Sequence, residues 1–364
     1  MKIKKKLQKL FKKTFQRLFI LIYGKVNFNA NYNFLDNHDL NTLDQVKIDN
    51  LSYKCFTITD GRVYTNLVES VSIISNNHLV PGASCQKISN KLADDKYNLC
   101  LTDGTPRIKK KISGTIFCLI QDASGNNYAH WLVDILPRLK IFEQNNSIDQ
   151  IDYFLLPELK NNFQYETLDM LNIPLTKVLN VKKNRHIQSK KLILTEHPWY
   201  KKDTIHSEMI NIPKWIVLWL REKFLKNAEY DCAHNKIFID RSDSNFNHCK
   251  IINNEQVWQF LEKKGFKKYK LSEMSFKKQI GLFNSADIIV GAHGAGLSNI
   301  IFSKSNSKVI EIKPAYHKNK FFYRLAQINN LNHHEVFSKD LKSQINDIDG
   351  DIIVDLKDIL KLVD

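Results

Sequence analysis

Cysteine is scarce in this chain: six residues in 364 (Cys55, Cys85, Cys100, Cys118, Cys232 and Cys249), with no C-x-x-C pair and no spaced cluster. That excludes a disulfide-stapled scaffold and a cysteine-built zinc site, since the one His–Cys neighbour pair, His248-Cys249, lacks further partners. The thiols read as reduced, in a cytoplasmic protein. Long apolar runs are missing as well. Leu18 to Tyr23 is too short to span a bilayer and carries no signal-peptide cleavage site. No internal repeat occurs, and low complexity is confined to the lysine-rich start.

Acid is absent from Met1 to Lys25, where nine Lys/Arg stand. Ile3, Leu7, Leu10, Phe11, Phe15, Leu18 and Ile22 form a helical apolar stripe beside that charge. The pattern predicts a basic amphipathic helix on an anionic membrane surface, the inner leaflet, making the protein cytoplasmic and peripheral on the inner membrane. The alternative is a helix packed on its own domain. The formal charge of +16 also invites nucleic acid, but no recognisable nucleic-acid module accompanies it. Outside the tail the modest basic excess suits a cleft for diphosphate-bearing ligands.

At this length two domains are expected, with ordinary apolar and charged fractions of 43% and 25%. Four segments are read: 1–25, the basic helix; 26–205, a first domain; 206–340, a second domain; and 341–364, a strand and helix able to cross back to the first half. Residues 27 to 120 read as short strands and loops. Thr115 to Ile120 reads as a buried strand leading into a polar turn and a helix, which Pro137 must kink or restart. From Lys236 onward strands and helices alternate at βαβ spacing, which predicts a parallel sheet with ligands at the carboxyl ends of its strands.

Known phosphate motifs are lacking too. The glycines of Gly291-Ala-His-Gly-Ala-Gly296 are spaced G-x-x-G-x-G, unlike the dinucleotide fingerprint, and no Lys-Ser/Thr follows as in a P-loop. What is there is a buried strand, a tight glycine turn and a helix start. Such a corner offers unpaired N–H groups and a positive dipole end to a diphosphate. His293, Gly294, Ala295 and Gly296 are its candidate binding residues; the alternative is a turn that only packs strand on helix. Arg241, ending an earlier strand, has the planar fork that matches diphosphate oxygens, or is a surface ion-pair arginine. Glu311, one βαβ step on, could accept ribose hydroxyls, or be an edge-strand acid.

In the first half His130 and Asp134 are four apart, on one helical face. Either the imidazole, oriented by the carboxylate, or the carboxylate itself takes a proton from an acceptor hydroxyl. Arg138 meets phosphate or snorkels. No convincing metal site is present; Asp349-Gly-Asp351 imitates the D-x-D of metal-dependent sugar transfer but reads as a turn.

Four blocks of this sequence, in order, resemble glycosyltransferase family 61, particularly its bacterial capsule and O-antigen members. They are Asn127-Tyr-Ala-His-Trp-Leu-Val-Asp-Ile-Leu-Pro-Arg-Leu139, Ile237-Phe-Ile-Asp-Arg-Ser242 with Asn254-Glu255, Ala286-Asp-Ile-Ile-Val-Gly-Ala-His-Gly-Ala-Gly-Leu-Ser-Asn299, and Val309-Ile-Glu-Ile312. The resemblance covers roughly residues 115 to 315. It implies a GT-B architecture, α/β with two Rossmann-like domains facing a cleft. It also implies inverting, metal-independent transfer from a nucleotide-sugar donor, without a cofactor, to a lipid-linked glycan acceptor of a surface polysaccharide. By carry-over Arg241, His293 to Gly296 and Glu311 are donor-site residues, and His130 and Asp134 are catalytic. After Arg241 the family often shows further basic residues, where this chain has Ser242-Asp-Ser-Asn-Phe-Asn247. Rival readings are pyruvyl or phosphoryl transfer on the same fold, a non-catalytic partner of polysaccharide export and, last, a nucleic-acid protein.

Overall fold

The computed structural model describes residues 2–31, 42–67, 70–89, 91–120, 125–231, 233–242, 248–339 and 350–363. Outside them lie Asp122 to Ser124 of the polar turn, Cys232, Asp243 to Asn247 after Arg241 and Asp349 of the D-x-D imitation, and so do the side chains of Ile3, Leu7, Leu10 and Phe11. The chain forms two compact units. One is Met1–Asn126, His130–Lys160 and Pro174–Glu208; the other is Asn127–Ala129, Asn161–Ile173 and Met209–Asp364.

The first unit is built on a mixed sheet. Strands β1 (Leu51–Thr59) and β2 (Arg62–Leu67) precede β3 (Lys110–Cys118), β4 (Tyr153–Leu156), β5 (Val178–Asn180) and β6 (His186–Thr195). Strands β6, β3, β4 and β5 lie side by side and parallel. The long β6 turns its other edge to β1 and β2, both antiparallel. The chain passes from β1 to β2 at Gly61, where a β-carbon would fall 2.7 Å from Leu192 Cβ on β6. Further antiparallel strands extend the sheet, so only part of it has the parallel Rossmann-like form expected for this half. Its core is made of aliphatic and aromatic side chains, among them Phe56, Ile58, Ile116, Leu192 and Leu194.

The basic helix α1 (Lys2–Tyr23) belongs to this unit. Its end is anchored there: the Tyr23 hydroxyl accepts the Lys109 N–H at 3.0 Å, and Ile20 packs on Gly104. Phe15, Leu18, Leu21 and Ile22 stay exposed, Leu21 at 83%. No helix among the described residues is long and apolar enough to cross a membrane.

The second unit carries a five-stranded parallel sheet of β7 (Lys236–Ile239), β8 (Lys267–Tyr269), β9 (Ile288–Ala292), β10 (Lys308–Lys313) and β11 (Asn332–Phe337). Their spatial order is β8-β7-β9-β10-β11, so consecutive strands of this unit run 2-1-3-4-5. In that order the chain reverses direction across the sheet between β7 and β9, which opens a crevice at their carboxyl ends. The central strands β9 and β10 are buried on both faces, as a covered parallel sheet requires, with Glu311 and Lys313 of β10 the buried charged exceptions. Phe238, Val290 and Ile310 pack on Val257 and Leu261 of the helix Asn254–Lys263.

The closing segment does not cross back to the first half. Ile352 bridges in parallel to Ile251, and Ile352, Val354, Ile359 and Val363 complete the apolar core of the second unit. The physical reason is apolar surface on the second unit itself: the amphipathic helix Leu356–Val363 lies against β11, and Lys308 of β10 donates Nζ to the Leu362 carbonyl at 2.7 Å.

Candidate active site

Pro137 shapes the first of two histidine–carboxylate pairs. Lacking an N–H, it cannot donate to the carbonyl four residues back, and its ring crowds that carbonyl. The helix therefore widens by one residue over Trp131–Ile135, where Leu136 N–H reaches Trp131 O at 3.2 Å, and a new helix starts with Pro137 in its first turn (Pro137–Glu143). Such single wide turns occur often at functional sites. The freed Val133 carbonyl accepts the Trp199 indole N–H at 3.1 Å, and the Asp134 carbonyl accepts Arg138 Nε at 3.0 Å. Both backbone acceptors are thus satisfied by side chains.

Within this turn His130 Nδ1 lies 2.7 Å from Asp134 Oδ2, while Trp199 Nε1 donates to Asp134 Oδ1 at 2.9 Å. His197 Nε2 stands 3.8 Å from Oδ2. The Asp134 side chain is fully buried; that of His130 is 16% exposed. Burial alone would raise the pKa of Asp134, but the charge and hydrogen bond of His130, then those of His197, outweigh it and hold the carboxyl below its ordinary value. An ionised carboxylate only accepts, so the His130 proton sits on Nδ1 and Nε2 is its basic nitrogen. His197 is held in the opposite tautomer, because its Nδ1 accepts the Tyr200 N–H at 2.9 Å. Of the two candidate bases, only the imidazole reaches the surface. Asp134 orients it.

The second pair lies in the other unit. β9 delivers His293 to the carboxyl edge of the sheet, where its Nδ1 meets Glu311 Oε1 at 2.5 Å. The other oxygen of Glu311 receives His333 Nε2 from β11 at 2.9 Å. Glu311 is buried. Burial would raise its pKa, yet hydrogen bonds from His293 and His333 and the charges of His293 and Lys313 bring it down to about 2. Each oxygen of Glu311 thus engages a histidine, and the carboxylate fixes the tautomer of His293, whose ring packs on His317.

Arg241 follows β7 and the glycine turn follows β9, so both occupy the crevice where the strand order reverses. The guanidinium donates to the His293 carbonyl, and to that of His248 at 3.5 Å. It rests so closely on Gly294 that a β-carbon there would lie 2.5 Å from Arg241 Cζ. A tight helix then runs over Ala295–Phe302, with no side chain capping its start at Gly294. Gly296 lets this helix approach Leu271, which a β-carbon would meet at 2.8 Å. Asn299 ties the turn down by donating to Gly296 O and Gln279 Oε1, both at 3.0 Å, and accepts the Tyr128 hydroxyl at 2.6 Å. The result is a cationic fork beside first-turn amides, suited to an anionic diphosphate.

Sequence reasoning missed four of these side chains. His197 and Trp199 were not singled out as site residues, although the ring-rich run His197-Pro198-Trp199-Tyr200 is a signal for burial. Arg138 does not snorkel; it is fully buried and braces the wide turn. His333 lies on a strand that was not anticipated. Among the described residues no group of three or more His, Cys, Asp or Glu could hold a metal ion.

Residues 128–310, half of the chain, match the family Glycosyltransferase 61. This chain belongs to glycosyltransferase family 61. The match contains both histidine–carboxylate pairs except the carboxylate Glu311, which lies one residue beyond it. The chain is also similar to Beta-1,2-xylosyltransferase RCN11 of Oryza sativa subsp. japonica, 27% identical over 90 residues that cover 25% of this chain and 16% of that protein. A Beta-1,2-xylosyltransferase of Arabidopsis thaliana is 34% identical over 64 residues, covering 18% of this chain and 12% of that one. The shared stretches are thus a small part of either plant relative.

Proposed function

We propose that this family 61 member is an inverting glycosyltransferase that moves a sugar from a nucleotide-diphosphate donor to a glycan hydroxyl. The observation that carries the reading is the Arg241 guanidinium laid on Gly294 at the strand-order reversal. His130 Nε2 takes the proton of the acceptor hydroxyl, and Asp134 stabilises the imidazolium that forms. The acceptor oxygen attacks the anomeric carbon from the face opposite the leaving group. The bond from that carbon to the phosphate oxygen breaks, and its electron pair stays on the departing nucleotide diphosphate. Arg241 and the amides at the start of Ala295–Phe302 neutralise that charge, without a divalent ion. The two units are, in this reading, the halves of a GT-B transferase.

The acceptor we assign is a lipid-linked glycan of a surface polysaccharide. Support comes from α1, which pairs Lys12, Lys13 and Arg17 with exposed Phe15, Leu18 and Leu21, a composition suited to an anionic membrane surface. The names of the plant relatives make a xylose donor the first to try. Thermal stabilisation across a panel of nucleotide sugars tests the donor class. One donor should raise the melting temperature of the wild type and lose most of that effect in Arg241→Ala. Stabilisation by none of the panel, or equal stabilisation of both proteins, would overturn the reading.

A further inference from the structure

A cavity of about 410 Å³ lies wholly within the first unit, its wall including Arg138 and His197, two neighbours of Asp134. Thr195, the last residue of β6, stands in its wall, only 1% exposed, and its hydroxyl has no hydrogen-bond partner among the described residues. Buried polar groups are paired in the great majority of cases, so such a hydroxyl points to a missing ligand or water. Arg138 lies beside it, fully buried. The lining acids Asp94, Asp95 and Glu196 equal in number the lining bases Arg138, Lys201 and Lys202. A balanced wall of donors and acceptors favours a neutral polyhydroxyl compound over a phosphate. The Tyr200 ring adds an apolar surface of the kind that lies against a pyranose. The volume falls within the range of sites that enclose a small organic ligand.

We propose that this cavity is a saccharide-binding site, holding a sugar unit of the acceptor glycan away from the reacting hydroxyl. Its occupant touches the catalytic pair through one side chain. His197 lines the cavity and stands 3.8 Å from Asp134 Oδ2, the same oxygen that holds His130 Nδ1. Filling the cavity therefore fixes His197, and through it the orientation of Asp134. Naming the ligand as acceptor glycan rests on the transferase reading above; the saccharide site itself does not.

The test is saturation-transfer NMR on the full chain with xylose, galactose, mannose, lactose and cellobiose, with inorganic phosphate as competitor. At least one sugar should bind saturably and resist phosphate. Thr195→Val, which keeps the side-chain shape and removes an unsatisfied hydroxyl, should melt no lower than wild type and bind about fivefold more weakly. Leu92→Trp, which fills the cavity from its lining, should abolish the signal. No binding by a folded wild type, displacement by phosphate, or undiminished binding in both variants would overturn the proposal. Nucleotide-sugar binding is read separately. If donors bind and sugars do not, this proposal alone falls; if sugars bind and no donor does, the transferase reading falls and the site stands.

Discussion

Arg241 and Gly294 occupy what is in effect one position: the guanidinium of the first fills the place a side chain of the second would need, 2.5 Å from Cζ. The conflict in Gly294→Ala is with the far end of a flexible side chain, so the fold should survive and the arginine should swing away. Losing a charge-assisted contact to the diphosphate costs about 1.5–3 kcal/mol, or roughly tenfold to a hundredfold in donor affinity. Isothermal titration with the preferred donor measures this. Donor affinity equal to wild type in a folded Gly294→Ala would remove Arg241 from diphosphate binding.

Asp134→Asn tests whether the carboxylate takes part in catalysis. An amide nitrogen facing His130 would donate to Nδ1 and drive the proton to Nε2, leaving no basic nitrogen for the acceptor. The turnover number should fall by a factor on the order of 10²–10⁴, and His130→Gln should fall as far. The two losses should not multiply in the double variant, since both remove one function. An Asp134→Asn enzyme that keeps near-wild-type turnover would detach the carboxylate from catalysis.

Glu311 makes stability depend on acidity. Its folded pKa, about 2, lies below the ordinary 4.5. The unfolded chain therefore takes up the proton first as the solution is acidified. The stabilisation is fully present above about 4.5 and is lost as pH falls toward 2, on the order of 3 kcal/mol in all. Urea titrations at pH 5 and pH 3 should show the wild type losing stability over this span. Glu311→Gln should start less stable and change less. Parallel losses in both proteins would place the acid sensitivity elsewhere.

The second unit was largely legible in the sequence, because β-branched runs and glycine punctuation are local signals. Thr115 to Ile120 in the first unit, legible as a buried strand, overlaps the end of β3, and the strands of the alternation from Lys236 onward pair in parallel. The strand β11 escaped notice because Asn332-His-His-Glu carries no apolar alternation. It is an edge strand, where polar residues suffice, and missing it hid the partner of Glu311. The antiparallel pairing of β6 with β1 and β2 was beyond reach for another reason. It joins residues more than a hundred apart, and register of that kind is written in packing, not in local pattern. Burial of His197 and Trp199 likewise follows from the wide turn at Pro137, a tertiary consequence of one residue.

The exposed side of α1 yields the last prediction. Ile20 and Tyr23 hold its end on the first unit, while Leu18, Leu21 and Ile22 remain outside and basic residues flank them. Two forces then act on a membrane surface: burial of apolar side chains and attraction of cations to anionic lipid. They separate by experiment. Vesicles with phosphatidylglycerol should sediment the full chain, and pure phosphatidylcholine vesicles should retain far less. Leu21→Glu removes about 0.83 of an exposed leucine surface and adds a repelled charge, so it should cut sedimentation at every salt concentration. Raising the salt should weaken wild-type binding without abolishing it, because the apolar contribution is not screened. Equal binding to both vesicle types, or no effect of Leu21→Glu, would mean that α1 serves its own unit and not a lipid surface.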